Sequence, residues 1–200
     1  MAIADQHAFR PTGSTIAALI SQLHTVTQML ITNSYVIVIA MDFSKAFDTV
    51  CHVTLLEKMA NLNLLDHVFN WLVNFFSERQ QCTAYKDTAS VLQALSASIV
   101  QGSTVGPASY VVNASDLKAV TVGNVLCKYA HDTDAVIPSD NVHTWTAELD
   151  NVQRSSSMTA GENDNQYNHY LCLMFLAFSH WKSLVWRSPV NCLWQNMYAT

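Results

Sequence analysis

Charge is scarce in this 200-residue chain. Asp, Glu, Lys and Arg make up 12% of it, about half of the ~25% usual in soluble domains. Basic residues are the scarcer kind, ten against fifteen acidic, for a formal net charge of −5. Phosphate contacts need a basic stripe, so this balance argues against a free-standing nucleic-acid binder. Glycine and proline are also few, five and four, which excludes collagen-like and Pro/Gly-rich low-complexity classes. The five cysteines (Cys51, Cys82, Cys127, Cys172 and Cys192) are odd in number and too far apart for a CxxC pair. A zinc–cysteine site or a disulfide framework is not expected; buried reduced thiols in a reducing compartment are. The opening MAIADQHAFR has no apolar core of a signal peptide, and the longest apolar run, residues 170–178, is too short to span a bilayer. The expectation is an intracellular, non-secreted chain without a membrane partner; composition does not assign a compartment. No GxGxxG or GKS/T loop occurs, which removes the dinucleotide-fold and P-loop readings.

What is present is apolar material: half the chain is hydrophobic, ample for one core. Residues 14–30 carry Ile16, Leu19, Ile20, Leu23, Val26 and Leu30 at helical spacing, with Ser14 as a cap. YVIVIAMD, residues 35–42, is a β-branched run ending in a carboxylate and predicts a strand covered on both faces. Helical pattern returns over 48–62 and 66–76, the second capped by Asp66. Strands are predicted over 81–85 and 95–100, and a helix over 106–119 with Pro107 in its first turn. Residues 125–130 and 135–137 read as two short strands of a hairpin, with His131-Asp132 at its tip. After Val152 the character changes to the polar QRSSSMTAGENDNQYN. The class this predicts is α+β, with antiparallel hairpins.

Three segments carry the chemistry. Asp42-Phe43-Ser44-Lys45-Ala46-Phe47-Asp48 ends the apolar strand, Gln101-Gly102-Ser103-Thr104-Val105-Gly106-Pro107 opens a helix, and Tyr129-Ala130-His131-Asp132 sits at the hairpin tip. A carboxylate closing an apolar strand is costly unless hydrogen-bonded, paired or metal-bound. A two-metal phosphoryl-transfer site uses such groups on neighbouring strands. Taken alone, Asp42 is read more simply as a cap for a following helix at residues 44–47, Phe47 as a core aromatic on a helix and Arg10 as a surface arginine.

In order and spacing, these segments resemble the reverse-transcriptase domain of non-LTR (LINE-like) retrotransposons. HAFRPTGSTIAAL is similar to that family's upstream fingers motif, and VIVIAMDFSKAFDTVCHVTLLEKM to its first catalytic motif and following helix. NWLVNFFSERQQC resembles the next helix and strand, SASIVQGSTVGPASYVVNASDL the Gln-Gly…Pro motif, and LCKYAHDTDAVIP the Tyr-Ala-Asp-Asp hairpin. The likeness runs over residues 7–152, a partial reverse-transcriptase domain of fingers remnant and palm; residues 153–200 form a divergent tail without it. The resemblance implies a polymerase palm, an antiparallel sheet backed by helices, with a partial fingers segment and no thumb. It implies Asp42 and Asp132 as metal carboxylates, Mg²⁺ (or Mn²⁺) as cofactor, and RNA template, DNA primer and deoxynucleotides as partners. Phe43, Phe47 (the aromatic gate under the incoming sugar), Gln101, Gly102 and Arg10 are implied nucleotide contacts. The remainder of a retroelement polyprotein, including basic thumb and fingers surface, is expected to be missing, which accounts for the acidic balance.

One position departs from the pattern at the centre of the chemistry. The family hairpin carries two adjacent Asp; here the first is His131. Imidazole is a poor Mg²⁺ ligand and removes a negative charge from a two-cation site. Asp134 lies on the same strand side as Asp132, and would need a register shift to substitute. The expectation is therefore an RNA-directed DNA polymerase fragment impaired as it stands. The alternative is a non-catalytic nucleic-acid-binding or interaction protein derived from a retroelement.

Overall fold

The computed structural model describes residues 5–43, 45–159, 170–178 and 185–187, with side chains described as far as residue 155. In chain order the elements are α1 (Thr15–Thr32), β1 (Tyr35–Phe43), α2 (His52–Ala60), α3 (Asp66–Phe76), β2 (Gln80–Gln81), β3 (Ala84–Tyr85), β4 (Thr88–Ala89), β5 (Gln93–Ala94), α4 (Gly106–Asn113), β6 (Val125–Tyr129), β7 (Asp132–Pro138), α5 (Trp145–Thr159), β8 (Tyr170–Phe178) and β9 (Val185–Arg187). They form two units. One is built on residues 45–116; the other holds the main sheet, from residues 5–43, 117–155 and the strands beyond.

In the sheet unit the strand order is β6-β7-β1-β8-β9, with each neighbouring pair antiparallel. β7, α5 and β8 make a split βαβ unit with β1 inserted between its strands. β1 is central because its sequence can be covered on both sides: Val36, Ile37, Ile39 and Met41 are at most 5% exposed. Each such burial is worth roughly 1.5–3 kcal/mol relative to exposure. Ile37, Ile39 and Met41 join Leu126, Ala135 and Ile137 in one core, closed by Leu117, Val152, Trp145 and Leu149. α5 therefore runs through Val152, and the polar stretch that follows it begins as helix. The apolar run at 170–178 is strand β8, in register with β1 from Tyr35↔Phe178 to Phe43↔Tyr170. The rest of the expected tail, residues 160–169, 179–184 and 188–200, lies outside the described residues.

α1 forms where the periodicity predicts, and Ser14 caps it by accepting from the Ala17 amide. The face it buries is different from the expected one. Ala18 is its buried residue, Gln22 reaches Asp134 of β7, and Cys127 of β6 lies against the Ala18 carbonyl. Ile16, Leu19, Ile20 and Leu23 are 58–68% exposed. A narrow line of Ala, Gln and Thr lets the helix approach a sheet face that is itself partly polar.

The second unit has its own core of Val50, Leu55, Met59, Leu72, Phe76, Ile99 and Tyr110. α2 begins only at His52 rather than 48, because residues 47–52 are taken up in hydrogen bonds from Ile99 and Ser98 to Phe47 and Val50, and from His52 to Ser96. That docking, with a lone Cys51↔Ala97 bridge, replaces the strand expected over 95–100. The strand expected at 81–85 breaks into two-residue pieces, β2 with β5 and β3 with β4, all exposed. Asp66 lies in the first turn of α3, whose cap residue is Leu65, and α4 stops at Asn113. Of the cysteines whose side chains are described, Cys127 is buried, Cys51 partly so, and Cys82 exposed, so burial is not their common property. No helix of the described residues is long and apolar enough to cross a membrane.

Glu148 of α5 is fully buried, and its carboxylate accepts from the Val120 and Thr121 amides and the Asn124 side-chain amide at 2.8–3.2 Å. It fixes the turn that leads into β6. Replacing it by Ala leaves the part-buried Val120 and Thr121 amides without this acceptor and takes one bond from the buried Asn124 amide, which keeps Thr144 Oγ1; an unmet buried donor costs about 1–3 kcal/mol. Urea unfolding of Glu148→Ala is expected to show a loss of about 1–3 kcal/mol, and Glu148→Gln a smaller one. Equal stability of Glu148→Ala and wild type would contradict this account.

Candidate active site

The β1–β7 ladder sets the site. Its register runs from Val36↔Pro138 to Met41↔Thr133, so the next step along both strands brings Asp42 beside Asp132. The β6–β7 hairpin closes through Tyr129↔Asp132, leaving Ala130 and His131 as a two-residue turn. Asp132 is thus the first residue of β7, and His131 alone occupies the turn with Ala130. Ala130 takes φ 54°, a left-handed conformation of the kind that tight hairpin turns require. His131 Nε2 then lies 3.4 Å from Asp42 Oδ1. One ligand atom from each of Asp42, His131 and Asp132 falls within 4.8 Å of the others.

The cluster is open. The Asp42 side chain is 56% exposed and that of His131 37%. Hydration removes the burial cost that made Asp42 conspicuous in sequence, and juxtaposition is what distinguishes it. Asp134 stays out of the cluster: it faces Ala40 across the ladder and accepts from Gln22 Nε2 at 2.8 Å. Burial pushes its carboxyl above the usual range, the Gln22 hydrogen bond opposes this, and the Asp132 charge adds to it. The same two effects of burial and neighbouring carboxylates (Asp134 and Asp5) push the Cys127 thiol up to about 11.

The remaining expected residues are placed as follows. Phe43, the last residue of β1, packs against the sheet core. Arg10 is exposed, and its guanidinium donates to the Gln6 carbonyl at 2.9 Å. Phe47, Gln101 and Gly102 belong to the second unit. Phe47 sits in a turn rather than a helix, with its ring 4.5 Å from that of Tyr110. Gln101 is exposed and approaches Asp48 at 3.5 Å. Gly102 has φ 84°, a backbone conformation that favours glycine.

The support of the hairpin was not foreseen. Gln6 is fully buried; its Oε1 accepts from the Ala130 and Ala8 amides at 3.0 Å, and its Nε2 donates to the Ala130 carbonyl at 3.3 Å. Lys128, also buried, donates to the Leu117 carbonyl and pairs with Asp5 at 3.1 Å. Burial raises the Asp5 carboxyl, but Lys118 and Lys128 outweigh it and hold the group below its usual value. A Cβ at Gly13 would collide with the His7 carbonyl oxygen, so glycine is required for this segment to fold back. Nothing in the sequence marked Gln6, which stands between the polar residues Asp5 and His7, and one sequence gives it no partner.

With this geometry in place, the comparisons with known proteins assign the family. The family model for reverse transcriptase (RNA-dependent DNA polymerase) matches residues 2–156, and the chain belongs to that family. Two solved structures of telomerase from Candida tropicalis share the fold, one in complex with a TWJ fragment of telomeric RNA. The TM-scores are 0.61 and 0.57, the identities 10% and 11%, and each covers 85% of this chain. This chain spans 30% and 36% of theirs. No curated protein matches it. The expected α+β palm, an antiparallel sheet with helices, is the fold observed.

The family's chemistry implies divalent metal. Two Mg²⁺ need hard oxygen donors in near-octahedral shells. The observed set offers two carboxylates and an imidazole, one oxygen-donor side chain and one negative charge fewer than the pattern with two hairpin aspartates. It does not fit a Mg²⁺ pair.

Two outcomes follow. Gln6→Ala removes both hydrogen bonds to Ala130, so the Ala130 amide is expected to exchange faster by an amount equivalent to about 1–3 kcal/mol; unchanged protection would contradict the clamp. Asp134 has its folded pKa raised, so the native state holds the proton more tightly and stability falls as pH rises from the unfolded value through the folded one. Asp134→Asn is expected to raise the melting temperature at pH 7, with the gain vanishing near pH 3. A gain that persists at pH 3 would refute the assignment.

Proposed function

We propose that this chain is the palm and part of the fingers of a non-LTR (LINE-like) retroelement reverse transcriptase, impaired in nucleotidyl transfer by His131. The observation that carries the reading is the meeting of Asp42 and Asp132 on adjacent strands with His131 at 3.4 Å from Asp42. The order of the motifs supports the retroelement subtype. In this reading residues 7–152 are the reverse-transcriptase portion and 153–200 a divergent continuation. Asp42 and Asp132 are the carboxylates of the reacting end. Phe43, Phe47, Gln101, Gly102 and Arg10 are nucleotide contacts, and RNA template, DNA primer and deoxynucleotides are the partners. Mg²⁺, or Mn²⁺, is the ion the unaltered motif would use. Loss of one metal ligand costs on the order of 10³-fold or more in rate.

A second reading is a non-catalytic nucleic-acid-binding or interaction protein derived from a retroelement. The exposed Ile16, Leu19, Ile20 and Leu23 on one uncharged helix favour it, since contiguous apolar surface marks contact sites.

Primer extension on an RNA template separates the two. The chain with Mg²⁺ or Mn²⁺ is expected to extend poorly, and His131→Asp to gain about 10³-fold or more. Full extension by the unmodified chain would refute impairment. No gain in a folded His131→Asp, with salt-dependent binding to an RNA–DNA duplex retained, would favour the second reading.

A further inference from the structure

The mismatch between the donor set and Mg²⁺ points to a different ion. We infer that Asp42, His131 and Asp132 form a site for a single borderline divalent cation of the Zn²⁺ type. The inference rests on the proposed reading of this sheet end as the metal end of the palm, and changes which ion it holds.

Three features support it. The first is donor type. Imidazole suits zinc-like ions, whereas carboxylate, carbonyl and water suit Mg²⁺. The second is position. His131 Nε2 and Asp42 Oδ1 are 3.4 Å apart, and one ligand atom from each of the three residues lies within 4.8 Å of the others, so a single ion can be reached by all three. The third is charge. Two carboxylates neutralise one dication, and two dications would leave the cluster with an excess of two positive charges. Three protein ligands and an open fourth position describe the usual catalytic zinc arrangement. The exposure of Asp42 and His131 leaves that position accessible to water or to an oxyanion.

The frame suits a fixed site. Asp42 is the penultimate residue of β1 and Asp132 the first of β7, and the turn carrying His131 is held by the buried Gln6 amide.

The test is titration of the full chain with Zn²⁺, and with Co²⁺ as a coloured tetrahedral probe, alongside Asp42→Asn and His131→Asp. The wild type is expected to bind one equivalent with tetrahedral Co²⁺ absorption, undisplaced by a 100-fold excess of Mg²⁺. Each variant is expected to weaken Zn²⁺ by about 100-fold or more, since even outer partners of a metal site are worth 10–100-fold. Circular dichroism establishes that both variants are folded. Unchanged Zn²⁺ affinity in either variant would overturn the inference, placing the ion on another of the eight histidines; so would displacement by equimolar Mg²⁺. The polymerase reading fails separately. If His131→Asp neither binds Mg²⁺ nor extends a primer while wild-type zinc binding holds, the zinc site stands without that function.

Discussion

The antiparallel register between β1 and β7 is the constraint on which the site depends. Pairing Met41 with Thr133 sets Asp42 next to Asp132 at the same end of the sheet. A slip of one residue would turn every side chain of a strand to the opposite face. The register is held by apolar positions on one face (Ile37, Ile39, Met41, Ala135 and Ile137, all in one core). The energy that builds the sheet is therefore the energy that aligns the carboxylates. None of it comes from the carboxylates, which are hydrated and repel one another.

Around that ladder the protein spends buried polar groups on turns. Gln6 holds the hairpin tip, Lys128 with Asp5 holds the strand leading to it, and Glu148 holds the turn before that strand. Each is fully or almost fully satisfied by hydrogen bonds, as buried polar groups must be. Together they make the Tyr129–Asp132 turn a fixed point. A change of side chain at its tip then alters the chemistry of the site with little effect on its shape.

The parts of this arrangement differ in how far they could be read from sequence. β1 was legible because four β-branched residues, Val36, Ile37, Val38 and Ile39, stand in one run at its centre. α1 was legible as a helix, but its buried face was not. Periodicity finds an apolar stripe and assumes the core takes it, whereas here small and polar residues face the sheet. The strand expected over 95–100 failed because its partner, residues 47–52, offers hydrogen bonds without a ladder. The place of 170–178 in the sheet was invisible, since an apolar run says nothing of which strand it joins. Asp42, His131 and Asp132 stood out by motif order, and the resemblance implied Asp42 and Asp132 on adjacent strands; the approach of His131 to Asp42 at 3.4 Å needed the fold. Gln6 and Glu148 act through partners more than 20 residues away, a distance at which one sequence carries no pairing signal.

The register is open to direct observation. Cross-strand nuclear Overhauser contacts measured on the isotope-labelled chain would report which residues of β1 and β7 oppose one another. The account requires contacts for Met41 with Thr133 and Ile39 with Ala135, and proximity of Asp42 to Asp132. Contacts offset by one residue, with Asp42 opposite Thr133, would separate the carboxylates onto different faces and contradict the site.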